Sequence, residues 1–249
     1  MTITSSHNEK LKEIRKLRTR RRERDKAARF VAEGEDLLAA ADAAGWQPVD
    51  RFCAAGSGLP GIEVEPKLLA DASGLGSGTR TLAVYEERWA PEAKGPLCVY
   101  LHGVADPGNV GTVLRSAEAF GASCAAIGPG TADPFGPKAV RASMGAIFSV
   151  PVARVATIDE LPGLTIALVP EAGRPLGELS GSGSTPRTQN RKLHETTLLI
   201  GAEREGLPPE LVQRADHVAH IPTRTHSLNA AMAATVALYE VTRMAADRP

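Results

Sequence analysis

The chain has 249 residues and a formal net charge of zero, with 43% hydrophobic and 23% charged residues, which is typical of a globular protein with a buried core. Three widely spaced cysteines (Cys53, Cys98 and Cys124) support neither a disulfide framework nor a zinc site. No run approaches the ~20 apolar residues of a membrane helix, and no apolar stretch follows the basic N-terminal residues as in a secretory signal. We therefore expect a cytoplasmic protein without a metal site.

The first part of the chain predicts a small α/β unit. Leu11, Ile14 and Leu17 recur at helical spacing, which predicts a helix over residues 8–20. Further short elements are predicted as strands at 30–32, 49–54 and 81–85, and as helices at 34–45 and 66–72. The stretch 86–96 contains two prolines and a glycine, which indicates a linker. We therefore predict one domain over residues 1–90 and a second over residues 96–249.

The first helix opens a strongly basic block. Between Lys10 and Arg29 the sequence has eleven Lys or Arg against three acidic residues, so the rest of the chain is net acidic. Such a block binds polyanions, although a solvated helix face is the more usual role of a basic run. The guanidinium forks of its arginines match phosphate geometry, which favours phosphate contact. The arginines that we interpret in this way are Arg18, Arg20, Arg21, Arg22 and Arg24.

A second series of apolar strands and helices follows the linker. The predicted strands are 97–101, 124–127, 149–152, 165–169, 197–200 and 217–221. The predicted helices are 110–120, 137–145 and 226–246. A stretch rich in Gly, Ser, Thr and Pro, residues 173–190, predicts a loop. Short apolar strands alternating with helices predict an α/β fold with a parallel sheet, in which ligands lie beyond the carboxyl ends of the strands.

Three strand-to-loop segments carry the polar residues that stand out. In the first, Asn109 follows a strand and opens a helix that holds Arg115; helix capping is its simplest interpretation. In the second, residues 199–207, a buried strand ends in Gly-x-Glu-x-x-Gly, where the backbone is able to approach a ligand closely. The third places Ser227 and Asn229 at the start of the last helix, where capping is again the simple alternative.

Other catalytic classes do not fit these segments. Ser227 follows a histidine, but no Gly-x-Ser-x-Gly elbow surrounds it, so we set nucleophilic catalysis aside. A nucleotide-dependent dehydrogenase would need a Gly-x-Gly-x-x-Gly turn after the first strand of a unit, and none is present.

Together the three segments resemble the motifs of the SpoU (TrmH-like) RNA 2′-O-ribose methyltransferases of the SPOUT superfamily. The residues that match lie at 107–111, 115–117 and 120–121 for the first motif, 201–207 for the second, and 221–222, 227–230 and 239–240 for the third. Residues 141–146 are similar to the family's connecting segment. The N-terminal part, with Asn8, Leu17, Phe30, Glu33 and Gly34, looks like the RNA-binding domain that precedes the catalytic domain in rRNA-directed members.

The resemblance implies a parallel-sheet methyltransferase domain whose C-terminal part forms a trefoil knot, behind a small RNA-binding α/β domain. It implies transfer of a methyl group from S-adenosylmethionine (AdoMet) to an RNA ribose hydroxyl by a homodimer with the last helix at its interface. The catalytic residues carried over are Asn109, Arg115, Glu203, Ser227 and Asn229. The cofactor-binding residues carried over are Gly201, Ile221 and Leu228.

The resemblance also suggests how these residues divide the work. Because guanidinium rarely loses its proton, we interpret Arg115 as a phosphate anchor and hydroxyl orienter in preference to a base. A full N-terminal domain favours ribosomal RNA as substrate. Antibiotic-resistance methylases share this layout, so a housekeeping role and a resistance role are not separated.

Two departures from the family pattern touch the cofactor pocket. Ala202 stands where the family usually has Asn, and the loop between Pro222 and Ser227 is shorter than usual. They are the support for an alternative interpretation, a non-catalytic RNA-binding protein that retains the fold.

Overall fold

A computed structural model describes residues 2–74, 78–179, 195–224 and 226–246. Its helices are α1 (Glu9–Thr19), α2 (Arg21–Ala27), α3 (Glu35–Ala43), α4 (Pro66–Ser73), α5 (Pro107–Ala119), α6 (Pro137–Ala142), α7 (Ala146–Ser149), α8 (Pro209–Arg214) and α9 (Ala230–Ala246). Its strands are β1 (Arg29–Glu33), β2 (Asp50–Ala54), β3 (Ile62–Val64), β4 (Thr81–Glu86), β5 (Trp89–Ala90), β6 (Leu97–Leu101), β7 (Cys124–Ile127), β8 (Val152–Arg154), β9 (Leu164–Leu168), β10 (Arg174–Pro175), β11 (Thr196–Ile200) and β12 (His217–His220).

The smaller of two compact units is built on the sheet β1-β4-β2-β3 and comprises residues 1–88 and 133–149. β4 runs antiparallel to β1 and β2, and β2 runs parallel to β3. The predicted apolar stripe of α1 is confirmed, because Leu11, Ile14 and Leu17 are at most 1% exposed and pack with residues of this sheet.

An aromatic cluster explains why residues 133–149 belong to this unit. The ring of Phe30 lies 5.0 Å from Phe135 and 5.9 Å from Phe148, and the indole of Trp46 donates to the carbonyl of Phe148 at 2.8 Å. The proposed division into domains 1–90 and 96–249 stays a prediction. The boundaries of the two compact units differ from it, because contacts between residues distant in sequence bring residues 133–149 onto the N-terminal strands.

The larger unit, residues 89–132 and 150–249, is built on an eight-stranded sheet with the order β10-β12-β9-β11-β6-β7-β8-β5. Every pair of neighbouring strands in it is parallel, which confirms the predicted α/β class. α5 packs against α9, with Ser116 Oγ 2.6 Å from Thr235 Oγ1. The carboxyl ends of β6, β9, β11 and β12 lie at one edge of the sheet, so the loops that follow them meet there.

Several element boundaries differ from the sequence prediction. Residues 146–149 form α7, whereas a strand was predicted over 149–152, because a short apolar run does not distinguish a buried helix from a strand. The last helix begins at Ala230 and not at His226. The predicted loop 173–190 includes β10 and a 3-10 turn at Leu176–Glu178, and residues 180–194 lie outside the described part.

Two general findings complete the fold. No helix among the described residues is both long enough and apolar enough to cross a membrane. In the same part of the chain, no group of three or more His, Cys, Asp or Glu side chains is arranged to hold a metal ion.

Candidate active site

A hydrogen-bonded network joins the three polar segments at the edge of the large sheet. Asn229 Nδ2 donates to Asn109 Oδ1 at 3.1 Å, and Asn109 Nδ2 donates to Glu203 Oε1. Asn109 is half-buried, while Glu203 and Asn229 are exposed. Residues 120 positions apart in the chain are therefore held together by side-chain amides, and a carboxylate ends the network.

Helix capping sets the orientation of both asparagines. Asp106, and not Asn109 as predicted, caps α5, because its side chain accepts from the backbone of Gly108 at 2.8 Å. Asn109 lies in the first turn of α5, so its amide remains available for the network. Asn229 caps α9, accepting from Ala231 N at 3.0 Å and Met232 N at 3.3 Å, while its Nδ2 points to Asn109.

Glu203 is presented by a tight hairpin after β11. Ala202 N donates to Gly206 O at 3.1 Å, and Gly206 N donates back to Ala202 O at 3.0 Å. A Cβ at Gly201 would lie 2.2 Å from the carbonyl carbon of Gly206, so only glycine fits there. Gly201 is thus required for the hairpin itself as well as lining the site.

A cavity of about 650 Å³ lies beside the network within the large unit. The loops after β9, β11 and β12 line it, and its volume suits a small-molecule ligand. Five predicted site residues are among its lining residues: Gly201, Glu203, Ile221, Ser227 and Leu228. Asn109 is connected to this cavity through its hydrogen bond to Glu203, and Asn229 is connected through Asn109.

Arg115 does not share this environment. Its side chain is exposed on α5, it is not a lining residue of the cavity, and no described residue forms a hydrogen bond or ion pair with it in this structure. Of the five predicted catalytic residues, Glu203 and Ser227 therefore line the cavity, Asn109 and Asn229 join it through the hydrogen-bonded network, and Arg115 faces solvent.

Sequence reasoning missed the part of the cavity that follows β9. Residues 168–171 line it together with His220 and His226. The signal was present, since the rule that ligands lie beyond the carboxyl ends of parallel strands applies to β9 as it does to β11. These residues belong to no motif, and the rule alone does not single them out.

A partly buried pair supports the loop after β6. Tyr100 Oη lies 3.1 Å from His102 Nδ1, and burial raises the pKa of Tyr100 to about 12. Burial also lowers the pKa of His102, which favours the neutral imidazole. The backbone of His102 donates to Ile200 O at 2.9 Å, so the first two segments of the site are fixed to each other at the sheet edge.

The five arginines of the basic block that were interpreted as phosphate contacts, all in the small unit, fall into two groups. Arg24 is buried and donates to Asp133 Oδ2 at 2.9 and 2.7 Å, and Arg18 donates to Ala72 O at 2.9 Å. These two side chains are engaged within the protein. The exposed members of these five are Arg20, Arg21 and Arg22.

The tight packing at Gly201 gives a stability prediction. We expect Gly201→Ala to lower the free energy of unfolding by about 1–3 kcal/mol, because the added methyl group meets backbone that has to shift. Chemical denaturation measures this. Gly177→Ala is the matched control, since its Cβ would meet only the movable carboxylate of Glu240, at 2.7 Å. Equal stability of the two variants would contradict the packing argument.

Two family models match the chain. Residues 96–239 match the SpoU rRNA Methylase family, and residues 8–90 match the MRM3-like substrate binding domain. Among curated proteins, the 23S rRNA (guanosine(2553)-2′-O)-methyltransferase RlmP of Bacillus subtilis is 28% identical, over 96% of this chain and 98% of its own.

Solved structures agree with this result. An AdoMet-bound rRNA methyltransferase from Sinorhizobium meliloti has a TM-score of 0.83 and 30% identity, covering 98% of this chain and 97% of its own. The SpoU methyltransferase AviRb from Streptomyces viridochromogenes, in complex with AdoMet, has a TM-score of 0.81 and 25% identity, covering 97% and 100%. The resemblance seen in the three motifs is therefore confirmed, and the chain belongs to the SpoU rRNA methylase family.

Proposed function

We propose that this protein transfers a methyl group from AdoMet to a ribose 2′-hydroxyl of ribosomal RNA. The observation that carries the proposal is the Asn229–Asn109–Glu203 network, which unites the three family segments beside a cavity of about 650 Å³. The names of relatives support the substrate class, because RlmP of Bacillus subtilis is a 23S rRNA 2′-O-methyltransferase.

The cavity fits the cofactor. It offers backbone at Gly201 and the aliphatic side chains of Ile221 and Leu228 for the adenosine, and carboxylates at its rim for polar groups. These residues would hold AdoMet, which when bound supplies an activated methyl group. Two structures similar to this chain contain AdoMet, which supports AdoMet as the ligand.

The protein's own contribution is positioning. Holding two reactants in line is worth ~7–11 kcal/mol in well-oriented systems. The network fixes the side chains of Asn109 and Glu203, and Ser227 lies on the cavity wall where a hydroxyl group is able to orient the ribose. Arg115 would anchor the RNA phosphate and orient the 2′-hydroxyl, which its exposure permits.

A homodimer is part of the proposal. Met232, Val236 and Tyr239 are 62%, 41% and 53% exposed and recur four and three residues apart, so they form one apolar stripe on α9. A second copy of this face would cover the stripe and remove it from water. The stripe thus supports the interface at the last helix that the family resemblance implies.

The strand order supports the trefoil knot. The chain leaves β9, inserts β11 between β9 and β6, and then continues to β12 on the far side of β9. α9 then returns to contact β11 and α5. We propose that this C-terminal path is knotted as in the family; a cytoplasmic location stays a prediction.

The role of Arg115 gives the first functional test. With labelled AdoMet and rRNA, wild-type protein should transfer methyl groups, and Arg115→Ala should reduce the rate about a hundredfold, an effect typical of removing one group that stabilises a transition state. Its AdoMet affinity by calorimetry should be unchanged, because Arg115 does not line the cavity. Arg214→Ala, on α8, is the control. Near-normal methylation by Arg115→Ala would refute this role, and no transfer by the wild type would favour the non-catalytic alternative.

The exposed arginines give a second test. Replacing Arg20, Arg21 and Arg22 by Gln should weaken RNA binding. The slope of the logarithm of the association constant against the logarithm of the salt concentration should fall in magnitude by about 2, since each phosphate contact on a single strand contributes ~0.7. Filter binding over a range of salt measures the slope. A matched control removes three exposed cations elsewhere: Lys67, Arg80 and Arg154. The same loss of slope in both triple variants would argue against a specific phosphate surface on α2.

The apolar stripe gives a third test. Val236→Asp should convert a dimer into a monomer in sedimentation experiments, because a carboxylate at the centre of a buried apolar face is costly to desolvate. Val49→Asp changes another exposed valine, 38% accessible, in the small unit and should leave the dimer intact. A dimer that survives Val236→Asp would show that the copies associate through a different face.

A further inference from the structure

The turn that follows β9 contains a residue whose backbone conformation is unfavourable for its type. Ala172 N donates to Val169 O at 3.4 Å, which closes a turn with Pro170 and Glu171 at its centre. Glu171 has a φ of 56°, in the left-handed region. A turn with proline at its second position and positive φ at its third favours Gly or Asn there. The local backbone therefore does not explain a glutamate at position 171.

This turn is fixed to the neighbouring strand. Val169 N donates to Ala219 O at 2.9 Å, and His220 Nδ1 donates to Ala172 O at 3.3 Å. A Cβ at Gly173 would lie 2.0 Å from Val218 O, so the backbone approaches β12 as closely as glycine allows. The side chain of Glu171 consequently extends from a rigid support, which is the condition for a preorganised binding group.

Glu171 lines the cavity, and among the described residues its partner there is His226. His226 Nδ1 lies 3.0 Å from Glu171 Oε1, and both residues line the cavity. Since a carboxylate only accepts, Nδ1 carries the proton. The side chains of His226 and Glu171 are 99% and 70% exposed, and exposed pairs contribute little to folding stability. Neither side-chain packing nor the pair with His226 explains why a glutamate occupies a position with positive φ.

We propose that Glu171 is a cofactor-binding residue whose carboxylate accepts hydrogen bonds from donor groups of AdoMet, with His226 orienting it. The inference rests on the proposed function and adds the loop after β9 to the recognition site. AdoMet carries two kinds of donor that match a carboxylate, the ribose hydroxyls and the amino-acid ammonium. Its demethylated product, S-adenosylhomocysteine, carries the same donors, so Glu171 should hold the two molecules alike.

Two substitutions separate the carboxylate from the backbone conformation. Glu171→Gln keeps the shape and removes the charge, and Glu171→Gly removes the side chain and suits the left-handed φ. By calorimetry, Glu171→Gln should bind AdoMet and S-adenosylhomocysteine about tenfold more weakly, as expected for loss of a charge-assisted hydrogen bond. Glu171→Gly should bind both more weakly still, and it should melt at a temperature no lower than that of the wild type.

Ala28→Gly is the matched control, because Ala28 also has positive φ, 51°, but lies in the small unit. This substitution should relieve the positive φ in the same way and leave the affinity for AdoMet unchanged.

In steady-state assays, Glu171→Gln should raise KM for AdoMet and leave kcat unchanged, which a purely structural role would not produce. Wild-type affinity for AdoMet in both Glu171 variants would overturn the inference alone. Absence of AdoMet binding by the wild type would overturn the proposed function as well.

Discussion

The hydrogen-bonded network of Asn229, Asn109 and Glu203 is the interaction on which the site depends. It forms because the parallel sheet brings the loops after β6, β11 and β12 to one edge. Capping then fixes the side chains: Asp106 caps α5, which leaves the amide of Asn109 available, and Asn229 caps α9 through its carbonyl oxygen while donating through its amide. The two hydrogen bonds therefore connect all three segments.

The basic block contains both buried or partly buried arginines that are paired within the protein and exposed arginines, a difference that the composition does not show. Arg24 forms a buried pair with Asp133, at side-chain exposures of 7% and 11%, and breaking such a pair typically costs about 3–5 kcal/mol. Arg18 lies close to the buried carboxylate of Glu33, at 3.8 Å. Arg20, Arg21 and Arg22 are exposed, and these three are the arginines that we propose for contact with RNA phosphates. On this proposal, one run of sequence contributes both to stability and to RNA binding.

Much of the fold could be predicted from sequence, because apolar periodicity and the alternation of strands with helices depend on local residues. The residues of the cavity wall in the motifs, such as Gly201 and Leu228, were also predicted, through the family resemblance. Other features could not be predicted from sequence, because neighbouring residues are able to take the same structural role. Asp106 and Asn109 are both able to cap a helix, and only the folded backbone selects Asp106. The position of Glu171 depends on contacts between β9 and β12, which no local pattern encodes.

The proposed function requires that the chain methylates a ribose hydroxyl and not a base. A 2′-O-methyl group blocks alkaline cleavage of the adjoining phosphodiester bond, so the modified nucleotide is found as a gap in an alkaline ladder. Ribosomal RNA free of this modification should be incubated with the protein and AdoMet, and then mapped. We expect one new protected nucleotide, which should appear only when the protein and AdoMet are both present. Methyl incorporation without any protected position would place the methyl group on a base and contradict the proposed function.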